Sequence, residues 1–236
     1  QSIRTSTDNG ATWTEAVIIK QDTDALHLES DRNQPQGDVT VASDGTVTSH
    51  LDLLPESSNA HATGVNNLGE VVGDELGGLG LYWPSESDDP LPLPPLSGDA
   101  GSRTSGINDA GIVCGLSTGV MGEHPVVWRV ANDDNGNPIV SGPFRLPSVN
   151  GHAWDLSELD ADGTVTVAGN AWDGELSAAV TWRVQLQSDG GISIDPQPTI
   201  LQVGASVRGI NSTGVVCGYS PGLNWIATLW TETEQF

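Results

Sequence analysis

The stretch Gly106-Ile-Asn-Asp-Ala-Gly-Ile-Val-Cys-Gly115 decides the fold, because the chain contains it more than once. Close copies run from Gly64 to Gly73 and from Gly209 to Gly218, and a more divergent fourth copy lies between Glu158 and Gly169. The turn glycines of the copies, at positions 69, 111, 163 and 214, lie 42, 52 and 51 residues apart. Internal repeats at this spacing indicate a protein built from similar units that stack on one another.

Each repeat is typical of four antiparallel strands. The first strand ends at the asparagine, and the Asn-x-x-Gly tetrad predicts a tight turn in which the glycine takes a positive φ. The apolar run after the turn predicts the second strand. A further short apolar stretch, the third strand, ends in Trp83, Trp128, Trp182 or Trp230. Prolines follow, and since proline cannot donate to a strand ladder, they place a fourth strand at the outer edge of each unit.

Units of this size with a protected edge are typical of the blades of a β-propeller. The sequence therefore predicts an all-β protein, a single β-propeller domain of about five four-stranded blades. The predicted blades cover residues 1–60, 61–101, 102–151, 152–205 and 206–236. The first blade is degenerate, with strands expected at residues 13–20, 25–29, 38–48 and 51–55. The last blade lacks a fourth strand, which residues 2–6 are expected to supply. A four-bladed ring with an N-terminal extension is the alternative.

Two resemblances follow from these motifs. The runs Ala62-Thr-Gly-Val-Asn-Asn-Leu-Gly-Glu-Val-Val-Gly73 and Val207-Arg-Gly-Ile-Asn-Ser-Thr-Gly-Val-Val-Cys-Gly218 resemble the HAF-type extracellular repeat, over roughly residues 50–236. This resemblance implies a secreted or cell-surface protein, and it transfers no catalytic residues. The copy at Glu158–Asp162 departs from the pattern, because it lacks Gly-Ile-Asn. Near the N-terminus, Ser6-Thr-Asp-Asn-Gly-Ala-Thr-Trp13 resembles the Asp-box of sialidase-type propellers, which implies a structural turn.

The charge of the chain limits its partners. Its 31 acidic and 8 basic side chains give a formal net charge of −23. Such a charge repels phosphate, which argues against nucleic acid as a partner. No apolar run approaches the length of about 18 residues that membrane insertion needs. The expected partner is a glycan or a protein that binds at the propeller loops. Cys114 and Cys217 occupy equivalent positions of two repeats, so we expect both to be buried and unbonded.

Trp154, Trp172 and Trp225 lie outside the repeated position, the last two in loops between second and third strands. Trp172 and Trp225, with their neighbours Asp173 and Asn224, are predicted to form a contact surface for a glycan or peptide, because an exposed tryptophan ring stacks on a sugar face. Packing beneath the loops is the alternative interpretation. A second group of candidates lies near the starts of first strands, at the expected mouth of the channel: His61, Arg103, His152 and Arg208.

Sialidase-like hydrolysis would need an arginine cluster for the sugar carboxylate, a tyrosine paired with a glutamate, and an aspartate as acid and base. The tyrosines of the chain are Tyr82 and Tyr219, of which we expect Tyr82 to be packed beside Trp83. The sequence thus favours a non-catalytic module for binding or scaffolding. A lectin or a sialidase-like glycoside hydrolase is the alternative, so enzymatic activity stays open.

The sequence gives little sign of a metal or another cofactor. Asp160 and Asp162 precede a glycine in the manner of a calcium loop, which suggests a weak calcium site. An ordinary hairpin turn explains the same residues. The five histidines lack the spacing of a zinc site. We therefore expect no cofactor beyond weakly bound calcium.

Overall fold

The computed structural model describes residues 2–5, 14–18, 54, 59–172, 174–188, 190–222 and 224–231, the first two ranges by their backbone alone. The chain divides into two compact units, residues 1–51 and residues 52–236. All regular elements in the described ranges are β-strands, which confirms the predicted all-β class. None of the described residues belongs to a helix that is long and apolar enough to cross a membrane.

In the first unit, β1 (Ser2–Thr5) pairs antiparallel with β2 (Thr14–Ile18). Strand β2 falls within the strand predicted for residues 13–20. The strands predicted at 25–29, 38–48 and 51–55 lie outside the described residues apart from Leu54, and so does the Asp-box. The closure of the last blade by the N-terminal strand stays a prediction.

The second unit consists of four antiparallel sheets arranged as the four blades of a β-propeller. Blade 1 contains β3 (Ala60–Val65), β4 (Val71–Glu75), β5 (Gly80–Trp83) and β6 (Leu91–Leu93). Blade 2 contains β7 (Gly101–Ile107), β8 (Ile112–Gly119), β9 (Gly122–Asn132) and β10 (Pro138–Arg145). Blade 3 contains β11 (Asn150–Leu156), β12 (Thr164–Trp172), β13 (Ser177–Leu186), β14 (Ile192–Ile194) and β15 (Thr199–Val203). Blade 4 contains β16 (Ser206–Ile210), β17 (Val216–Ser220) and β18 (Ile226–Trp230).

The predicted count of five blades is wrong, and the four-bladed alternative with an N-terminal segment fits. The four sheets coincide with the four copies of the ten-residue repeat. A fifth blade was expected from the strand-like composition of residues 1–60, which contain no copy of the repeat. Alternating composition marks a strand, but it does not specify the sheet that the strand joins.

A bulge occurs at the same point of the first strand of every blade, where adjacent blades meet. The extra residues are Thr63, Ser105, Trp154 and Arg208. The glycine that ends each copy of the repeat faces this bulge: a Cβ atom at Gly115 would overlap the carbonyl oxygen of Arg103, and Gly73, Gly169 and Gly218 are placed in the same way. The bulge therefore explains why each repeat ends in glycine.

The repeated asparagine closes its own turn and also bonds to the next blade. Asn108 Oδ1 accepts a hydrogen bond from the backbone N–H of Ile112 at 3.0 Å, while Nδ2 donates to the carbonyl of Ser157 in blade 3 at 2.9 Å. Asn66 likewise donates to the carbonyl of Asn108 at 3.1 Å. The turn glycine Gly111 has the predicted positive φ, of 71°. The sequence predicted the turn but not the bond between blades.

The tryptophans of the repeat connect each blade to the one before it. Trp128 and Trp182 are fully buried, and their Nε1 atoms donate to the carbonyls of Pro94 at 2.8 Å and Pro147 at 3.0 Å. Both prolines follow the outer strand of the preceding blade. The proline-rich segments at the outer edge thus supply acceptors for the buried indole N–H groups, as a buried tryptophan requires.

Apolar clusters join successive blades, but among the described residues no sheet covers one face of blade 4. Cys114 and Val127 of blade 2 are fully buried in the cluster that blade 2 shares with blade 3. The register places Cys217 and Leu229 at the equivalent positions of blade 4, where both are exposed, Leu229 by 70%. The expectation of a buried cysteine is therefore correct for Cys114 and wrong for Cys217. Both cysteines are free, as expected.

We predict that one of the two thiols reacts in the native protein. Burial raises the pKa of the Cys114 thiol well above its usual value, whereas Cys217 is accessible to solvent. Titration with a disulfide reagent should give about one reactive thiol per chain in native buffer and two in denaturant. The change Cys217→Ser should abolish the native reaction. Two reactive thiols in the native wild-type protein would contradict the buried position of Cys114.

We also predict that Asn108→Ala destabilises the protein more than Asn211→Ala. Removal of the Asn108 side chain leaves the buried N–H of Ile112 and a carbonyl of the next blade without partners, at a cost of about 2–3 kcal/mol. Asn211 is the matched control, because it caps its own turn at an exposed site and its Nδ2 has no acceptor among the described residues. Its loss should cost about 1 kcal/mol or less. Equal losses in urea-induced unfolding would show that the bond between blades contributes nothing.

Candidate functional site

An open cleft of about 520 Å³ lies where blades 3 and 4 meet. The side chains that line it come from both blades, from the loop before β18 and, in the case of Glu123, from β9 of blade 2. We call it the aromatic cleft and define it by six of these residues: His152, Trp154, Trp172, Arg208, Tyr219 and Trp225. The cleft therefore combines five rings with one guanidinium group.

The guanidinium of Arg208 lies at the centre of these rings. Its Cζ is 5.1 Å from the ring centroid of Trp154 and 5.2 Å from that of Tyr219, lying over both rings. Its Nη2 donates to the hydroxyl of Tyr219 at 3.1 Å. The Tyr219 ring also contacts the ring of Trp225. Their centroids lie 4.6 Å apart in a T-shaped arrangement. Such cation–π contacts hold the guanidinium plane in a defined orientation.

His152 closes the inner end of the cleft as a neutral side chain. Its ring stacks on Trp154 with centroids 3.6 Å apart, and its Nε2 lies 2.9 Å from the hydroxyl oxygen of Ser105. Burial and, after it, the positive charges of Arg103 and Arg208 together lower the pKa of His152 to about 4. The ring is therefore uncharged at neutral pH. A histidine with so low a pKa is a weak base, so the Ser105–His152 pair does not by itself make an activated nucleophile.

Asn170 fixes the position of Trp154 and ties blade 3 to blade 4. Its Oδ1 accepts from Trp154 Nε1 at 3.0 Å and from the hydroxyl of Ser206 at 3.1 Å. Its Nδ2 donates to the carbonyl of Ala205 at 3.0 Å. These partners come from β11 and from the start of blade 4. The wall of the cleft is thus held by a satisfied polar network.

Asp155 takes the place of a glycine in the divergent third blade and forms another link to blade 4. The register aligns it with Gly106 and Gly209, the first glycines of their repeats. Its carboxylate accepts from the backbone N–H of Ile210 at 2.9 Å and from that of Leu156 at 2.9 Å. Burial raises its pKa. The departure from the repeat therefore supplies a contact between the blades that form the cleft.

Trp172 and Trp225 form the exposed rim of the cleft. Their exposed fractions are 42% and 67%, against values near zero for the buried Trp128 and Trp182. Trp172 is the last residue of β12, and Trp225 directly precedes β18, so both lie beside loops between second and third strands, where the sequence placed them. Large rings left in solvent at a concave site are available to stack on a ligand.

The structure unites two groups of candidates that the sequence kept apart. Trp172 and Trp225 were predicted as a loop surface, and His152 and Arg208 as part of a channel mouth; all four line the aromatic cleft. Their role in binding stays a prediction. Asn224 is exposed beside Trp225 but does not line the cleft, and Asp173 lies outside the described residues.

The other two channel candidates lie away from the cleft. Arg103 is an exposed residue of β7 whose charge reaches His152 without lining the cavity. His61 lies in β3 of blade 1, where its Nε2 is 3.7 Å from a carboxylate oxygen of the buried Asp74. The four predicted residues of the channel mouth therefore do not form one group.

The suggested calcium site has the geometry of a turn. Asp160 Oδ1 accepts from the backbone N–H groups of Asp162 at 2.9 Å and Thr164 at 2.8 Å, as the repeated asparagine does in the other blades. Within the part of the chain that the structure describes, no three His, Cys, Asp or Glu side chains are grouped to hold a metal ion. Calcium binding at Asp160 and Asp162 stays a prediction.

Three residues of the cleft were not predicted as site residues: Trp154, Asn170 and Tyr219. Trp154 could have been found by alignment of Asp155 with the first glycine of the repeat, since Trp154 then occupies the position of Arg208. Tyr219 and Asn170 directly follow the final glycines of their repeats, where the strand continues into the cleft. No feature of the sequence distinguishes them from packed residues.

A comparison of the chain with protein-family models, curated proteins and solved structures found no match. Fold and site define the chain as a β-propeller with an aromatic cleft between its last two blades. The HAF-type and Asp-box features stay resemblances, so the function must be argued from the cleft.

We predict that His152 makes the stability of the protein depend on pH. Its pKa is about 4 in the folded protein against 6.5 as the unperturbed value, so between these values the unfolded chain binds a proton that the folded chain does not. Protonation of the unfolded chain at His152 is absent above about pH 6.5, and it lowers the free energy of unfolding as the pH falls towards 4. The wild-type melting temperature should therefore fall relative to that of His152→Gln between about pH 7 and pH 4.5. Parallel curves for the two proteins would contradict the shifted pKa.

Proposed function

We propose that this protein is a non-catalytic binding module that takes a carbohydrate ligand in the aromatic cleft. The observation that carries the proposal is the exposure of Trp172 and Trp225 at the rim of a concave site whose floor is also aromatic. Solvent-exposed indole rings have apolar area that a ligand can cover. The polar network beneath them holds the floor in place before a ligand arrives, which lowers the cost of binding.

The shape and chemistry of the cleft favour a sugar over a purely apolar ligand. The cleft is open, so a ligand there keeps part of its surface in water. A sugar ring offers an apolar C–H face for stacking and hydroxyl groups for polar neighbours. Arg208, Ser206 and Ser177 supply such polar groups around the rings. A protein ligand would use the same rim, and the experiment below must distinguish it from a carbohydrate.

The number of carboxylic acids in the cleft favours binding over hydrolysis. Glycoside hydrolysis by the usual route needs two carboxyl groups on either side of the scissile bond. Among the described residues that line the cleft, Glu123 is the single carboxylic acid. The hydroxyl of Tyr219 pairs with Arg208, whereas a sialidase-type tyrosine nucleophile would pair with a glutamate. A lectin-like module is therefore the better interpretation.

The proposed setting is the cell surface or the space outside the cell, as the HAF-type resemblance implies. The net charge of −23 supports a soluble module with low affinity for nucleic acids and anionic lipid surfaces. Scaffolding by the propeller would be compatible with ligand binding at its cleft.

The test is glycan binding by the wild-type chain and by two rim variants. A glycan array in calcium buffer identifies a ligand, and calorimetry with that ligand gives the affinity. Trp172→Ala and Trp225→Ala should each weaken binding by about 2- to 10-fold, the equivalent of one lost stacking contact. Ile139→Ala removes an apolar side chain that is 46% exposed on the outer strand of blade 2, and should leave affinity unchanged.

The possible outcomes separate the alternatives. An array without binding, or affinities unchanged in both tryptophan variants, would overturn carbohydrate binding in the cleft. Release of reducing sugar from the bound ligand would make the protein a hydrolase. Loss of binding in EDTA would assign a role to calcium and redirect attention to Asp160 and Asp162.

A further inference from the structure

We infer that the aromatic cleft selects glycans that contain a carboxylated sugar, and that Arg208 is the residue that makes this selection. This inference rests on the proposed function and specifies the class of ligand. It begins from the guanidinium of Arg208, whose Cζ lies over the rings of Trp154 and Tyr219. An arginine side chain carries five N–H donors in a planar fork.

Most of these donors have no partner among the residues that the structure describes. Nη2 of Arg208 donates to the hydroxyl of Tyr219, and among the described residues no other acceptor bonds to the side chain. No carboxylate of the described residues lies within ion-pair distance of the guanidinium, although the chain has far more acidic than basic residues. A cation without a counter-ion among the described residues of so acidic a chain is available to bind an anion from outside.

The surroundings of Arg208 favour a carboxylate on a ring over a free inorganic anion. The rings of Trp154 and Tyr219 keep the guanidinium in one orientation, so that two parallel N–H groups can meet the two oxygens of a carboxylate. The exposed Trp225 ring meets the edge of Tyr219 and lies next to this position. A uronic acid unit would place its C–H face on an exposed ring while its carboxylate reaches Arg208.

Among the described residues, the other titratable groups that line the cleft add no second positive charge that could select an anionic sugar in place of Arg208. His152 is neutral at pH 7, because burial and the charges of Arg103 and Arg208 lower its pKa to about 4. It therefore adds no positive charge to the cleft above that pH. Glu123 also lines the cleft, and its carboxylate disfavours a ligand with anionic groups at every position. The arrangement fits a glycan with spaced rather than dense carboxylates.

The experiment compares three ligands of matched length: trigalacturonic acid, its trimethyl ester and galactotriose. Calorimetry at low salt should show that the wild-type protein binds the acid at least about 10-fold more tightly than the other two, the size of effect expected for a charge-assisted hydrogen bond. Arg208→Gln should remove this preference, so that its affinity for the acid falls to within about 2-fold of its own affinities for the ester and for galactotriose. Arg183→Gln is the matched control, since it removes one exposed arginine of blade 3 that does not line the cleft.

Two further variants keep the test valid if Arg208→Gln does not fold. Arg208→Lys keeps the charge but loses the planar pair of donors, so the preference for the acid should fall by about 3-fold or more. Tyr219→Phe keeps the ring and removes the hydroxyl that orients Nη2, and it should reduce the ratio of the affinity for the acid to that for the ester. Preferences that equal the wild-type value in both variants would overturn the role of Arg208.

The outcomes distinguish the inference from the proposed function. Equal binding of the acid, the ester and galactotriose, with weakening by Trp225→Ala, would overturn the selection of carboxylated sugars and leave carbohydrate binding intact. An absence of binding by all three ligands and by the glycan array would overturn both. Binding of an aspartate-rich peptide as tight as that of trigalacturonic acid would overturn the carbohydrate class.

Discussion

The bulge in the first strand of each blade is the constraint on which the rest of the structure depends. It adds one residue at the same point of each ladder, and that residue meets the next blade: the hydroxyl of Thr63 lies 2.7 Å from that of Thr104, Ser105 contacts His152, and Trp154 contacts Arg208. The facing glycine is required, because any side chain there would overlap the bulged backbone. A repeat built in this way assembles side by side, since each copy carries the same link to its neighbour.

The candidate site lies where this repetition is broken. In blades 1 and 2 the bulge residues are small and polar, and they bond across the blades. In blades 3 and 4 the same position holds Trp154 and Arg208, which need more room and face an open cleft. Asp155 replaces a glycine beside them and holds blade 4 through the backbone of Ile210. The divergent copy therefore supplies both the large ring of Trp154 in the cleft and the Asp155 bond that holds its walls together.

The repeat explains why much of the fold could be predicted from the sequence, and the cleft shows where such prediction ends. Asn-x-x-Gly has few conformations available, so the turns, the positive φ of the glycines and the four strands of blades 1 and 2 followed from local chemistry, whereas blade 3 has five strands and the described part of blade 4 has three. The link from Asn108 to the next blade depends on the distance between blades, which the sequence of one blade does not contain. The predicted number of blades was wrong for the same reason, because strand-like composition in residues 1–60 does not indicate which sheet a strand joins. Trp172 and Trp225 were recognisable as exceptions to the repeat, whereas Tyr219 resembles an ordinary strand residue.

The exposure of blade 4 gives the cleft its particular chemistry. Between blades 2 and 3, the equivalent positions of Cys217 and Leu229 are buried by the next sheet, and no large ring could stay in solvent there. Blade 4 has no such sheet on this face among the described residues, so Tyr219 and Trp225 extend towards solvent from its second and third strands. The adjoining Arg208 has two rings as neighbours instead of a carboxylate. A cation held by aromatic faces is weakly hydrated and already oriented, which reduces the cost of exchanging water for a ligand carboxylate. The same open face that ends the described blades therefore leaves Arg208 oriented by two rings, as the proposed binding of a carboxylate requires.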